Sequence, residues 1–376
     1  SLHDALPILL VQREIMNAIM KLVDKYPIIA LTGPRQSGKT TLLKSMFPNY
    51  RYMSLEDPDT RYFAETDPRT FLKQYDSYVI FDEVQRVPHL FSYIQSVVDE
   101  SKIMGQFIFS GSQNFHLMQN ITQSLAGRVA IFRLFPFDIQ ELKSAKLLQE
   151  DYVPLLIKGF YPAIYDRNIS PADFYPNYIE TYVQRDVSEL ISIQDLSVFR
   201  KFLSLCATRA GQILNMSSMA KECGISTPTV KAWLSALESS YIIYLLQPYH
   251  KNFNKRIIKS PKLYFYDTGL LCDLLKINGV YKINNQSVKG ALFKNMVISE
   301  YMKRIHHKNE KMTIPFYWRD SHGNEVDLLL EKPQQIEIVE IKATRTIIPD
   351  LFKGLNYFSD LAELGNLEKT LVYGGS

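Results

Sequence analysis

Cysteine is scarce. The 376 residues hold three, Cys206, Cys223 and Cys272, far apart, with no Cys-x-x-Cys pair and no histidine at zinc-ligand spacing. That excludes a disulfide framework and a zinc ribbon, and predicts buried free thiols in a reducing cytoplasm. Long apolar runs are also missing: Tyr241–Leu246 and Tyr78–Phe81 fall far short of the ~20 residues a spanning helix needs, so no membrane segment is expected. Charge of one sign is not in excess either. With 43 basic and 39 acidic residues the formal net charge is +4, which permits contact with nucleic acid without demanding it. There is no fixed-period repeat and no low-complexity tract. The opening Ser-Leu-His-Asp-Ala-Leu-Pro-Ile lacks methionine, a basic n-region and a small-residue cleavage site, so residues 1–8 are read as a truncated or non-native start.

An apolar share of 46% against 22% charged is ordinary for a folded chain, and the length predicts two or three domains. Apolar residues at Leu10, Ile15, Ala18, Ile19 and Leu22 predict a lead-in helix within residues 1–25. Buried-type strands are expected at Ile28–Thr32, Arg51–Leu55, Tyr78–Phe81, Phe107–Ser110 and Val129–Leu134, with helices between them. This alternation predicts an α/β fold over 26–140, a parallel sheet covered on both faces. Residues 141–200 read as a helical connector, through Asp138–Lys146 and Asp173–Leu190. A compact helical unit over 201–270 and a small α/β domain over 285–376 follow.

Gly33-Pro34-Arg35-Gln36-Ser37-Gly38-Lys39-Thr40, with Thr41 after it, fits G-x-x-x-x-G-K-[ST] between a strand and a helix. The glycines let backbone N–H groups close on phosphates at a helix N-terminus, Lys39 adds a point charge, and the Thr40 hydroxyl suits Mg²⁺. ATP and Mg²⁺ are therefore the expected ligands. Tyr78-Val79-Ile80-Phe81-Asp82-Glu83 is an apolar strand delivering two carboxylates at its end, with Asp82 expected on the metal and Glu83 on the attacking water. In Ser110-Gly111-Ser112-Gln113-Asn114, either Ser112 or Asn114 would touch the γ-phosphate or the water, or the loop merely caps the next helix. Arg128 is expected either to stabilise transition-state charge, in its own or a neighbouring subunit, or to form a surface salt bridge.

Ala220-x3-Gly224-x5-Val230 has helix-turn-helix spacing, with Gly224 at the turn, Ser226 or Thr227 as cap and Pro228 in the first turn. Strand-like Tyr241–Gln247 and Lys262–Tyr266 would pair as a wing. Lys231 is the second helix's one cation, beside Trp233, while Lys251, Lys255, Arg256, Lys259 and Lys262 form a richer basic patch. Two readings stand: DNA contact, or a structural and partner-docking unit. Farther on, Asp327 with Ile338-Val339-Glu340-Ile341-Lys342 fits D-x(n)-E-x-K on neighbouring strands, a metal-nuclease pattern with Asp327 and Glu340 on Mg²⁺ and Lys342 beside the water.

These motifs together resemble a family of bacterial and archaeal predicted ATP-binding proteins that join an AAA-type ATPase domain to a C-terminal domain similar to the PD-(D/E)XK nuclease fold. Leu31–Gln36, Phe81–Gln85, Leu125-Ala126-Gly127-Arg128, Gly159-Phe160-Tyr161-Pro162, Tyr182–Val187 and Val326-Asp327 carry the resemblance, which covers nearly the whole chain. It implies the fold and ATP binding. The preferred reading of the whole is ATP hydrolysis whose nucleotide state moves a winged-helix unit and a nuclease-like domain, on or near DNA, in a cytoplasmic protein for which a second copy or a protein partner is a candidate associate. Two other functions compete with it: a nucleotide-gated scaffold without cleavage, and an ATP-driven nuclease. One departure is plain. Relatives carry an acid beside the helix asparagine where this chain has Lys294-Asn295, leaving Glu300 or Glu325 as substitutes outside the family position.

Overall fold

A computed structural model describes residues 11–112, 121, 123–183, 195–249, 259–283, 286–362 and 365–375. The chain divides into two units: Ser1–Leu147 with Tyr161–Asp166 and His306–Asn309, and Leu148–Phe160 with Arg167–Ile305 and Glu310–Ser376.

In the first unit, β1 (Ile28–Thr32), β2 (Arg51–Ser54), β3 (Val79–Asp82), β4 (Phe107–Gly111) and β5 (Val129–Arg133) form a parallel sheet in the order β2-β3-β4-β1-β5. Apolar residues fall on both faces of each central strand, which is why both faces are covered. Ile28, Ala30, Phe81, Phe107 and Phe109 pack with Phe71 and Phe91 from the helices Pro68–Gln74 and Leu90–Ser101. On the opposite face Ile29, Leu31, Ile80 and Ile108 pack with Ile15 and Ile19 of Ile15–Val23 and with Leu42 and Leu43 of Lys39–Met46.

A buried polar knot closes this unit. Arg13 donates from Nε to Glu141 Oε1 (2.9 Å), from Nη1 to the Ser37 carbonyl (3.0 Å) and from Nη2 to the Phe135 carbonyl (2.6 Å). Asp138 caps the helix Ile139–Ser144, and Glu141 completes the capping box by accepting the Asp138 N–H. His307 Nε2 accepts the Phe135 N–H (3.2 Å), so its proton sits on Nδ1 and is donated to Asp138 Oδ2 (2.9 Å). Asp138, Glu141 and His307 lie close enough to share an ion. Yet each of their side-chain oxygens and ring nitrogens already holds a protein partner, so the group is a satisfied lock and not a metal centre.

The second unit carries a six-stranded mixed sheet, ordered β11-β10-β9-β8-β6-β7: β6 (Ile243–Pro248), β7 (Lys262–Phe265), β8 (Ile314–Arg319), β9 (Glu325–Lys332), β10 (Gln335–Lys342) and β11 (Leu367–Tyr373). β6 and β7 pair antiparallel, as the sequence suggests. β6 also pairs with β8 through Gln247 and Pro248, so the C-terminal strands extend a sheet begun at residue 243. Three helices precede it, Leu196–Thr208, Met216–Cys223 and Thr227–Ser239. Gly224 makes the turn at φ +72°, and Ser226 caps the third helix by accepting the Thr229 N–H. Trp233 is core, its ring 5.3 Å from Phe199 and 5.2 Å from Phe202. The three cysteines are free and buried.

The helix expected over Asp173–Leu190 runs Pro171–Tyr178 and then widens into a π-helical turn, Ile179–Val183; residues 184–194 lie outside the described set. Pro176 lacks the N–H of a regular helical bond, a local reason for the irregularity. Gly159 has a packing cause. At φ +66°, a Cβ there would stand 1.9 Å from the Tyr175 hydroxyl, which donates to buried Asp267 beside the Phe160 N–H. Burial pushes the Asp267 carboxyl up, against those donors and Leu270 N–H.

Arg13→Ala would strip a fully buried Glu141 of its cation and two carbonyls of their donor. We expect a loss of ~3–5 kcal/mol in chemical denaturation of the N-terminal unit. A change below ~1 kcal/mol would show that the knot is not holding the fold.

Candidate functional site

Parallel pairing in step sets Thr32 beside Gly111 and Asp82 beside Ser110, so β1, β4 and β3 end together. Ligand sites of such sheets lie at these carboxyl ends. Gly33 follows β1 at φ +149°, and a Cβ there would sit 2.0 Å from the Leu134 carbonyl oxygen. Only glycine fits. Gly38, at φ +93°, opens the helix Lys39–Met46, which has no side-chain cap, so its first-turn N–H groups face the loop. Lys39 is buried, its Nζ donating to the carbonyls of Gly33 (2.9 Å) and Pro34 (2.8 Å). Gln36 Oε1 and Ser37 Oγ are buried without a hydrogen-bond partner among the described residues, as a loop built for a polar ligand would leave them. Arg35 is half-buried, and Thr41 is exposed on the first helical turn.

Asp82 Oδ2 accepts both the Thr40 hydroxyl (2.9 Å) and the Tyr52 hydroxyl (2.5 Å). Burial and this carboxylate push the Tyr52 pKa far above its usual value, and the Lys44 ammonium lies 3.6 Å from its ring centroid. Glu83 follows in the left-handed region, φ +55°. Its Oε2 accepts from Gln85 Nε2 (2.7 Å) and from Ser112 Oγ (3.1 Å). Thr40 thus meets Asp82, and Ser112 meets Glu83. Thr40 and Asp82, already in contact through oxygen atoms, form an oxygen donor set suited to Mg²⁺.

Arg128 is elsewhere. It precedes β5, next to the start of β1 and a full strand, ~16 Å, from the phosphate loop. Its guanidinium forks onto Asp99 at 2.6 and 2.8 Å. The parallel direction of β5 fixes this, so within one chain the expected catalytic role of Arg128 fails and the salt bridge stands. Gln113 and Asn114 lie outside the described residues. Arg13 and Tyr52 carry no signal in the sequence; Gln85 ends the Phe81–Gln85 string, but its role as a donor to Glu83 shows only in the tight turn.

In the second unit the β9–β10 register pairs Leu328 with Val339, which puts Asp327 and Glu340 opposite each other on one face. Both are buried. Lys294 donates to Asp327 Oδ1, the Ile341 N–H to Asp327 Oδ2 (2.9 Å), and Lys342 pairs with Glu340 Oε1 (2.6 Å). Burial, then Asp327, push the Glu340 carboxyl up. Burial works against the Lys294 ammonium, but Asp327, Glu325 and Glu340 outweigh it and hold its pKa above the usual lysine value. Glu325 is taken by Lys262 and Arg319, and Glu300 pairs with Lys303. Neither acid stands in for the missing ligand. Asn295 bonds both backbone groups of Phe265. Of the basic patch, Lys262 is buried on Glu325, Lys259 is exposed, and Lys251, Lys255 and Arg256 lie outside the described residues.

Residues 25–143 match a family model described as an AAA domain. Over those residues the N-terminal unit is similar to AAA domains, in keeping with its parallel sheet and glycine loop. Residues 149–280 and 289–376 match two domains of unknown function, DUF8612 and DUF4143. Two curated relatives, the uncharacterized proteins Mb2031c of Mycobacterium bovis and Rv2008c of Mycobacterium tuberculosis, are each 27% identical over 98% of this chain and 81% of theirs. Among solved structures, the Walker-type ATPase PABY2304 of Pyrococcus abyssi gives a TM-score of 0.43 at 13% identity, over 71% of this chain and 96% of that one. Domain III of the Thermotoga maritima replication initiation protein DnaA gives 0.27 at 14%, over 59% and 89%. Likenesses at that level carry no weight for function. No helix among the described residues is long and apolar enough to cross a membrane.

The two loop glycines are distinguishable. Gly33→Ala meets a backbone oxygen and is expected to cost ~3 kcal/mol or more, while Gly38→Ala, with its nearest atoms 3.7 Å away, carries only backbone strain, ~1–2 kcal/mol. Urea midpoints of the two variants check this; equal losses would contradict the close approach at Gly33.

Proposed function

We propose that the AAA domain binds ATP with Mg²⁺ and hydrolyses it with its own side chains. The observation that supports this most is the meeting of Thr40 with Asp82, and of Ser112 with Glu83, at the ends of three strands held in step. Lys39 would exchange its carbonyl partners for phosphate oxygens, and Thr40 and Asp82 would hold the ion. Mg²⁺, when bound, neutralises charge on the phosphates. Glu83 takes the proton of the attacking water. Both its donors fall on Oε2, so Gln85 and Ser112 orient the carboxylate while Oε1 meets no donor among the described residues. Tyr52 steadies Asp82 from the neighbouring strand.

The second unit reads as a winged helix followed by a nuclease-like domain, both answering to nucleotide state in a cytoplasmic protein. The exposed residues of Thr227–Ser239 include Thr227, Pro228, Lys231, Ala232 and Ser235. One cation on that face is little for a phosphate backbone, whose neutralisation dominates affinity for DNA. A face of small residues with a single cation favours a protein partner over duplex DNA there.

Lys39→Ala removes charge-assisted hydrogen bonds worth ~1.5–3 kcal/mol and should weaken ATP binding about 10- to 100-fold. Glu83→Gln should leave binding within about twofold and lower turnover by ~10²–10⁴. Fluorescent-nucleotide titration beside phosphate release tests both. Unchanged turnover in Glu83→Gln would remove Glu83 from the mechanism.

A further inference from the structure

The sheet face of β9 and β10 presents two buried carboxylates side by side, the arrangement in which a divalent cation would ordinarily be sought. The residues present do not fit one. Asp327 has both oxygens taken, Oδ1 by the Lys294 ammonium and Oδ2 by the Ile341 N–H. Glu340 spends Oε1 on Lys342. A third acid, Glu325, is held between Lys262 and Arg319. Four cationic side chains thus surround three carboxylates, and an entering dication would meet a net positive lining. Lys294 is the decisive one. It rises from the helix Gln286–His307, whose next residue, Asn295, is pinned by two bonds to Phe265, so the ammonium is aimed by the fold and not by chance. One atom stays unsatisfied: Glu340 Oε2 is buried with no partner among the described residues, the oxygen a metal would use if the lysine were gone.

We propose that this is a lysine-filled cation site, in which the Lys294 ammonium does permanently what a divalent ion would do, so that the C-terminal unit folds without metal and cleaves no phosphodiester. The inference concerns the second unit alone and holds whether or not the first hydrolyses ATP. It also makes a constructive claim: deleting the ammonium while keeping the length of the side chain, Lys294→Met, opens the site to a metal through Asp327 and Glu340.

The test titrates Mn²⁺ into the full chain without nucleotide, followed by the paramagnetic signal of the free ion, for wild type, Asp327→Asn, Lys294→Met and Lys294→Met/Asp327→Asn. Wild type and Asp327→Asn are expected to bind Mn²⁺ identically, and Lys294→Met to gain one site at least tenfold tighter than any wild-type binding, lost again in the double variant. Mn²⁺ binding by wild type that disappears in Asp327→Asn would overturn the proposal, as would a folded Lys294→Met with no added site. If Lys294→Met folds only when Mn²⁺ is supplied, that rescue supports the proposal. If it folds under neither condition, Lys294→Gln takes its place, with the same gain expected and its absence contradictory. Independently, Mg²⁺-dependent cutting of a supercoiled plasmid by wild type, abolished by Asp327→Asn, would overturn the claim that the site is filled.

Discussion

β4 hydrogen-bonds to β1 on one edge and to β3 on the other, and because both pairings are parallel the three strands finish together at Thr32, Gly111 and Asp82. The loop that must curl over phosphates, the acids that must reach an ion and a water, and the hydroxyl that touches Glu83 all leave the sheet at that line. Their sequence separation is large. Only the register brings them within hydrogen-bond distance. Arg13 secures the same region from outside the sheet, holding the Ser37 carbonyl of the phosphate loop and the Phe135 carbonyl beyond β5 with one guanidinium. A planar fork with five donors suits this task, which a lysine point charge would not perform.

Much of this was legible in the sequence where the signal is local. Ile28–Thr32 forms over the expected residues and the helix expected after the glycine loop runs Lys39–Met46, because an unbroken apolar run and a glycine loop mark their limits. The pairing of Thr40 with Asp82 could be anticipated, since a phosphate loop and an acid-terminated strand are both short strings. What escaped was tertiary. Arg13 meets Glu141 across 128 positions and Tyr52 meets Asp82 across 30, and neither has a neighbouring residue that announces it. The sequence leaves Arg128 open because a loop before a strand can lie at either end of a sheet, and only the direction of β5 decides which. Lys262 shows the limit in a different way: it closes a basic run, yet the strand β7 turns it inward onto Glu325 and burial pulls its pKa down.

The two units handle buried charge differently. In the first, every oxygen of Asp138 and Glu141 is met by a backbone N–H, the His307 imidazole or the Arg13 guanidinium, leaving a lock with no oxygen over for a ligand. In the second, Asp327 and Glu340 are answered by lysines, with one carboxylate oxygen left over. A saturated cluster and an unsaturated one are thus told apart by counting partners for each oxygen, not by the residue types, which would suit a metal in both.

Hydrolysis by the chain's own residues is the central claim, and a single-turnover quench tests it most directly. The full chain, in excess over radiolabelled ATP with Mg²⁺, is stopped in acid at intervals and the ADP and phosphate are separated. The geometry of Glu83 and Ser112 predicts complete conversion of bound ATP to ADP and free phosphate with no partner added. ATP that binds tightly yet is recovered intact after many hours would contradict the account, and would leave the domain a nucleotide sensor in place of an ATPase.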